Sequence, residues 1–203
     1  MEFEVVVPEV EELREGGSPE KVVRENALRK ARAGLALVAG EGRSREVPAG
    51  LGQVGEGAVP ALGVDTEVVL DGHTLGKAAN KAEARTRLEA LSGRTHAVLS
   101  GVALVGCEAV PAHTARKSSH AAGIEERVGV ARTYVTFHEL DEAVLGLYLR
   151  SNEWHDRAGA YAIQGLGAIL VERLQGDISN VIGLPVALLL ELAPELEIRG
   201  ERV

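Results

Sequence analysis

The sequence predicts a protein of mixed helices and strands, of the α/β or α+β class, with a sheet in two lobes around a cleft. Three observations support this prediction. Runs of β-branched residues alternate along the chain with segments in which apolar residues recur every three or four positions. Turn-forming pairs such as Asp71-Gly72 separate these segments. The 203 residues suffice to bury a substantial core, and we expect one domain over residues 1–203.

The first elements are a short strand and a long helix. The sequence FEVVV at Phe3–Val7 favours a strand, which Pro8 ends because proline lacks an amide donor. Ser18 can cap a helix that begins with proline, and apolar residues then follow at helical spacing. We therefore predict a helix over Pro19–Ala39.

The middle of the chain predicts a hairpin, a helix and a strand. Residues Ala58–Leu70 form a strand that turns at Asp71-Gly72, a pair suited to the positive φ angles of a tight hairpin. Asn80 can cap a second helix that runs to Leu91. Strand character resumes over Thr95–Val105.

The last part of the chain continues the alternation. We predict a strand over Arg132–Phe137, a helix capped by Asp141, a strand over Gly167–Leu174 and a final helix from Pro185. Two regions have no apolar period, and we expect surface loops at 40–57 and 106–130. The first contains G-x-G-x-x-G at 50–55, but no strand pattern precedes it and no helix pattern follows, so we do not assign a dinucleotide site.

Composition limits the classes of partner. The chain has 22 Lys and Arg residues against 30 Asp and Glu, a net charge of −8, which disfavours binding of a nucleic-acid polymer. A small anion such as a nucleotide needs only a few local cations. The single cysteine, Cys107, excludes an intramolecular disulfide, and the acidic N-terminus is unlike a secretory signal, so we expect a cytoplasmic protein. No apolar run is long enough for a membrane helix.

Asp65 is the strongest single candidate for chemistry. It lies inside an otherwise apolar strand, where a carboxylate needs a cation, a metal or a hydrogen-bond donor. The residues alone leave open a second interpretation, in which Asp65 only accepts backbone amides at a strand end. Lys30 lies on the apolar stripe of its helix, and Lys77 follows a glycine after the hairpin, so both could hold phosphate. Both could equally be ordinary lysines with solvated ammonium groups.

The segment 156–167 mixes small residues with Asp, Arg, Tyr and Gln. Its Gln164 could read a base edge through paired hydrogen bonds, although tight packing would explain the segment equally well. The six histidines show no metal-ligand spacing, and we assign no zinc site. Cys107 has no local activating partner and is expected to be an apolar filler.

Five motifs follow one another along the chain. They are GVDTEVVLDG at 63–72, LGK at 75–77, LSGRTH at 91–96, the segment 158–167 and NVIGLP at 180–185. In this order they resemble the Maf family, and with residues 5–12 and 30–31 the resemblance spans essentially the whole chain. It implies a fold similar to the inosine triphosphate pyrophosphatases, with a mixed sheet in two lobes around a nucleotide cleft. It also implies hydrolysis of a nucleoside triphosphate to the monophosphate and pyrophosphate with a divalent metal, Mg²⁺ or Mn²⁺.

The resemblance also implies roles for individual residues. Asp65 would accept a proton from the attacking water, and Glu12 would help Asp65 bind the metal. Lys30 and Lys77 would hold phosphate oxygens, while Thr66 and Gln164 would set the base preference. Gln164 looks like the branch that acts on dTTP and UTP, because the branch that acts on 7-methyl-GTP usually has glutamate there. Maf proteins often form a homodimer.

The chain as given departs from the family pattern at its start. Maf proteins begin with a strand and an S-x-S-x-R-R phosphate-binding loop, and neither precedes Met1. We therefore expect weaker triphosphate binding and lower stability from this chain. Two further departures are Ala78, where the family has proline, and Arg157, where it has lysine. The alternative hypothesis is a non-catalytic nucleotide-binding protein or a regulator of cell division, since the family is linked to septum formation.

Overall fold

The computed structural model describes residues 4–13, 17–40, 60–107 and 125–194. The helices are α1 (Pro19–Gly40), α2 (Lys81–Leu91), α3 (Glu142–Ser151), α4 (Ile178–Ile182) and α5 (Val186–Leu192), with a 3-10 helix at Gly165–Leu170. The strands are β1 (Ala61–Leu70), β2 (His73–Thr74), β3 (Thr95–Cys107), β4 (Glu125–Phe137) and β5 (Val171–Gln175). The predicted class, helices and strands around a sheet with a cleft, is confirmed.

The strands form one sheet in the order β2-β1-β3-β4-β5, and every neighbouring pair is antiparallel. The predicted hairpin joins β1 to β2, with Asp71 at φ 52° and Gly72 at φ 81°. Beyond this hairpin, no described strand pairs with the outer edge of β1. That edge of the sheet is where the cleft lies.

One face of the sheet packs on α1 at very close range. A Cβ atom on Gly63 of β1 would lie 2.2 Å from the Ala27 carbonyl oxygen, and one on Gly101 of β3 would lie 2.2 Å from the Val23 carbonyl oxygen. Only glycine permits this approach. Because the backbone of α1 lies so close to the sheet, the α1 side chains next to these two contacts lie directly beside β1.

The opposite face carries the largest apolar core. Its fully buried members come from α2, α3 and the strands, and include Leu88, Leu91, Val135, Phe137 and Tyr148. Two of the predicted caps are confirmed, because Asn80 accepts a hydrogen bond from the Glu83 amide and Asp141 accepts one from the Val144 amide.

The short helices α4 and α5 cover the rest of this face. The buried Asn180 side chain donates to the Val98 carbonyl oxygen at 3.0 Å and to Thr133 Oγ1 at 3.1 Å, which fixes α4 on the sheet. Leu189 of α5 packs with Val102 and Leu104 of β3. The helix predicted from Pro185 is confirmed, with Pro185 as its N-cap.

Three sequence predictions need correction. Residues 4–7 form no strand, and Val5 and Val7 are 76% and 89% exposed, because β propensity has no effect without a neighbouring strand. Strand β4 begins at Glu125 and not at Arg132, because residues 125–131 pair with β3 despite their charges. Strand β5 begins at Val171, since residues 165–170 form the 3-10 helix.

Two predicted loops fall largely outside the described residues. They are 41–57 of the first loop and 108–124 of the second, and the motif at 50–55 lies in the first. Within the described segments, no helix combines the length and apolar character needed to cross a membrane.

Candidate active site

A cleft of about 520 Å³ runs along the edge of β1. Its walls come from β1, the N-terminal end of the described chain, α1, the loop after β2, α2, and the segments around residues 156–164 and 181–183. All six site residues predicted from the sequence line it: Glu12, Lys30, Asp65, Thr66, Lys77 and Gln164. The fold therefore brings together residues that are spread over 153 positions of sequence.

Asp65 is a buried carboxylate with two donors, and its side chain is only 7% exposed. Lys30 Nζ of α1 donates to Asp65 Oδ1 at 2.6 Å, and Asn26 Nδ2 donates to Asp65 Oδ2 at 3.1 Å. Each carboxylate oxygen can accept a further hydrogen bond. The sequence predicts that a buried Asp65 needs a cation, a metal or a donor, and Lys30 and Asn26 of α1 are such partners.

Lys30 joins two carboxylates. Its Nζ lies 2.6 Å from Asp65 Oδ1 and 2.7 Å from Glu12 Oε1. Burial acts to lower the pKa of Lys30, but the hydrogen bonds that Lys30 donates to Asp65 and Glu12 outweigh burial, and the pKa is raised above its usual value. Lys30 is therefore an ammonium ion at neutral pH, and much of its charge is neutralised by these two partners.

Asn26 holds the segment that carries Glu12. The Leu13 amide donates to Asn26 Oδ1 at 2.8 Å, and Asn26 Nδ2 donates to the Leu13 carbonyl oxygen at 3.0 Å. The same amide nitrogen also reaches Asp65, so one side chain, 1% exposed, ties three parts of the chain together. Sequence analysis missed Asn26, although its position on the buried stripe with Val23, Ala27 and Lys30 was a usable signal.

Thr66 lies on the other face of β1 from Asp65, because successive side chains of a strand alternate. Its Oγ1 is 2.8 Å from Ser100 Oγ, and the Ser100 hydroxyl donates to the Asn180 carbonyl oxygen at 3.3 Å. The cleft therefore wraps around the strand edge. Asp65 lines one side of it, and Thr66 lines the other.

Lys77 and Gln164 present exposed side chains to the cleft. The Lys77 backbone forms an antiparallel bridge to Ala158, so the loop after β2 and the segment before Gln164 are joined directly. Gln164 precedes the 3-10 helix and makes no side-chain capping hydrogen bond there. Both polar ends are available to a ligand.

Glu67 is a second carboxylate that the sequence analysis did not single out. It follows Asp65 by two residues and so projects from the same face of β1. Its Oε2 is buried and has no hydrogen-bond partner. Burial first, and then the negative charges of Asp65 and Glu12, raise the pKa of Glu67 to about 7. An acidic residue at alternate spacing from Asp65 was the sequence signal that could have identified it.

Arg87 of α2 also lines the cleft and was missed. Its side chain is 16% exposed, and its Nη2 is hydrogen-bonded to Glu83 Oε1. Glu83 is itself fixed, because its Oε2 accepts from the Ala79 amide at 2.8 Å. The buried Nη1 of Arg87 has no partner. The helical period of α2 alone does not show that this arginine faces a cleft.

No group of three or more His, Cys, Asp or Glu side chains in the described segments could hold a metal ion by itself. Glu12 and Asp65 nevertheless converge, since both accept from the same Lys30 ammonium. Carboxylate oxygens are the donors that Mg²⁺ and Mn²⁺ prefer, and Mg²⁺ is usually held by one or two carboxylates together with substrate phosphates. These two carboxylates fit a metal that arrives with a phosphate ligand.

The fold and the site define an α/β protein whose edge cleft combines buried carboxylates with several cations. The chain belongs to the Maf family, because the family model for Maf-like proteins matches residues 1–196.

Relatives of known name agree with this assignment. The chain is 38% identical over 186 residues to a dTTP/UTP pyrophosphatase of Bacillus mycoides, covering 91% of this chain and 80% of the relative. It is 41% identical over 185 residues to a protein of the same name from Symbiobacterium thermophilum, covering 91% and 78%. A dTTP/UTP pyrophosphatase of Alkalilimnicola ehrlichii is 38% identical over 196 residues, covering 96% and 83%.

Proposed function

We propose that this protein hydrolyses dTTP, UTP or modified pyrimidine nucleoside triphosphates to the monophosphate and pyrophosphate. The observation that carries the proposal is the buried Asp65 carboxylate, held by Lys30 and Asn26 at the edge of the cleft. Relatives of 36–42% identity with the name dTTP/UTP pyrophosphatase support the substrate class. The cleft of about 520 Å³ is within the size range typical of small-molecule sites.

Asp65 is the general base in this proposal. It accepts a proton from a water molecule while the water oxygen attacks the α-phosphorus, and the bond from that phosphorus to the bridging oxygen breaks. The two electrons of that bond leave with pyrophosphate. Lys30 and Asn26 hold the carboxylate in one orientation, which is the role of a donor behind a catalytic base.

In this proposal Lys30, Lys77 and a divalent cation bind the phosphate groups of the substrate. Glu12 and Asp65 are the residues that would hold the cation, Mg²⁺ or Mn²⁺, together with the substrate. When bound, such a cation neutralises negative charge on the phosphate oxygens. Lys77 is exposed in the cleft and supplies a point charge for a phosphate oxygen.

In this proposal Thr66 and Gln164 bind the base of the substrate. The Gln164 amide offers one donor group and one acceptor group, which match the acceptor oxygen and the N–H of a pyrimidine imide edge. The Thr66 hydroxyl is oriented by Ser100 at 2.8 Å and so presents a fixed polar group from β1. This pairing favours bases that carry an N–H beside a carbonyl oxygen, as uracil and thymine do, over adenine and cytosine.

The test is pyrophosphate release from a panel of nucleoside triphosphates with Mg²⁺ or Mn²⁺. We expect turnover of dTTP and UTP by the wild-type chain and a loss of at least about a hundredfold in Asp65→Asn. Asp71→Asn is the matched control, since Asp71 directly follows the same strand but is exposed and paired with Arg94. Full activity of Asp65→Asn would refute the assigned base. Nucleotide binding without turnover by the wild-type chain would favour the non-catalytic alternative.

A further inference from the structure

The cleft holds more cations than the proposed mechanism uses. Among described residues, Lys30, Lys77, Arg87 and Arg157 line it. Lys30 is bound to Asp65 and Glu12, so its charge is already matched by two carboxylates. Lys77 and Arg157 are exposed, and ordering them on a ligand costs side-chain entropy. A triphosphate would therefore gain most from a cation that is both buried and oriented in advance.

Arg87 has both properties. The Glu83 carboxylate binds Nη2, and the Ala79 amide fixes that carboxylate in turn at 2.8 Å. The side chain is 16% exposed, so most of it is already out of water. Because a planar guanidinium has a fixed geometry, holding Nη2 also fixes the direction in which Nη1 points.

The atom of interest is Arg87 Nη1, which is buried and has no hydrogen-bond partner among the described residues. Buried donors of this kind are rare in folded proteins, and each one left unpaired costs free energy. The cleft is the solvent-facing space beside Arg87. A bound acceptor oxygen would satisfy the donor.

Arg87 Nη1 has no hydrogen-bond partner among the described residues, even though the Glu67 carboxylate is close enough to feel the charge of Arg87. Arg87 acts electrostatically on Glu67, whose Oε2 is also buried without a partner. The two groups form no hydrogen bond or ion pair within the part of the chain that is described. Both side chains line the cleft, and each keeps one buried polar atom without a partner among the described residues.

We infer that Arg87 is a further substrate-binding residue, which donates from Nη1 to an oxygen of the phosphate chain. The inference rests on the proposed function for the class of ligand. Glu83 is then a positioning residue that holds the guanidinium, and it does not touch the substrate. Charge complementarity selects the phosphate chain over the base, because a charged guanidinium forms its strongest hydrogen bonds with anionic oxygens.

The experiment compares Arg87→Gln and Arg87→Lys with Arg85→Gln. Arg85 lies on the same helix two residues earlier, outside the residues that line the cleft, and pairs with Glu89 and Glu142. The probe is inorganic pyrophosphate with Mg²⁺, and its Kd is measured by calorimetry, which does not require turnover. Uridine, measured as an inhibitor of dTTP hydrolysis, serves as the nucleoside probe without phosphate. Thermal denaturation confirms that each variant is folded.

We expect Arg87→Gln to raise the Kd of pyrophosphate about tenfold or more, the value of one charge-assisted hydrogen bond, and to leave uridine inhibition unchanged. Arg87→Lys keeps the charge but loses the planar guanidinium that Glu83 holds through Nη2, so it should keep only part of the affinity. Arg85→Gln should match the wild type. An unchanged Kd for pyrophosphate in Arg87→Gln overturns the inference, as does an equal loss of uridine inhibition. Lack of triphosphate turnover in the wild type, with the pyrophosphate result intact, would count against the proposed function alone.

Discussion

Lys30 Nζ lies 2.6 Å from Asp65 Oδ1, although the two residues are 35 positions apart in the sequence. The contact joins the middle of α1 to the middle of β1, and it is possible because the glycines of β1 and β3 let the helix backbone approach the sheet. The geometry of the proposed site and the packing of the core thus depend on the same close approach of α1 to the sheet.

Removing the ammonium should therefore cost stability as well as activity. Lys30→Met leaves Asp65 buried with one donor fewer, and we expect the free energy of unfolding to fall by about 1–3 kcal/mol, less than for a fully buried pair because Lys30 is partly exposed. Urea denaturation measures the loss. The double variant Lys30→Met with Asp65→Asn should recover part of it, since the unpaired charge is gone. Additive losses in the double variant would mean that the pair is not coupled.

Glycine at position 63 should be essential for the fold. In Gly63→Ala the new Cβ would meet the Ala27 carbonyl oxygen at 2.2 Å and the Ala31 amide nitrogen at 2.5 Å, and both are backbone atoms that cannot rotate away. We expect a loss of about 3 kcal/mol or more, at or above the usual range for overpacking, measured by chemical denaturation. Gly76→Ala is the control, because nothing lies within 4 Å of its Cβ position, and its midpoint should stay at the wild-type value.

Stability should fall at mildly acidic pH because of His96. The ring is 2% exposed, its Nε2 is 2.8 Å from the Tyr161 hydroxyl, and burial lowers its pKa from 6.5 to about 4. The unfolded chain binds this proton below about pH 6.5 and the folded chain does not, so stability declines as the pH falls from about 6.5 to 4, by at most about 1.4 kcal/mol per pH unit.

The measurement for His96 is the free energy of unfolding at a series of pH values. His96→Gln should flatten the slope between pH 6.5 and 4, because the titrating group is removed. His138→Gln is the matched control, since His138 is exposed, and it should keep the wild-type slope. An unchanged slope in His96→Gln would assign the acid sensitivity to other groups.

Gln164→Glu should weaken the use of pyrimidine substrates. The carboxylate can accept from the base N–H, but it cannot donate to a base carbonyl oxygen, and it places two acceptors against each other. We expect kcat/KM for dTTP and UTP to fall by about tenfold to a hundredfold, with little change in the Kd of inorganic pyrophosphate. Steady-state kinetics beside pyrophosphate calorimetry separates the two. A parallel loss of pyrophosphate binding would place Gln164 at the phosphate chain instead of the base.

The sequence by itself determined most of the local structure and predicted six of the residues that line the cleft. The limits of α1 and α2, the hairpin at Asp71-Gly72 and the caps at Asn80 and Asp141 follow from short-range signals, which act within a few residues and so can be read directly. All six predicted site residues line one cleft, although Lys30 and Asp65 lie in the middle of their elements.

Tertiary structure decided the contacts that depend on distant partners. A strand forms only where a neighbour supplies hydrogen bonds, so residues 4–7 form no strand while the charged start of β4 pairs with β3. The Glu153 carboxylate accepts from the Leu166 and Gly167 amides in the 3-10 helix, a contact across 13 and 14 positions that no local pattern shows. The placement of Asn26 beside Asp65, and of Glu67 and Arg87 in the cleft wall, depends on distant partners for the same reason. The physical role of a polar side chain depends on what lies opposite it, and only the folded chain specifies that.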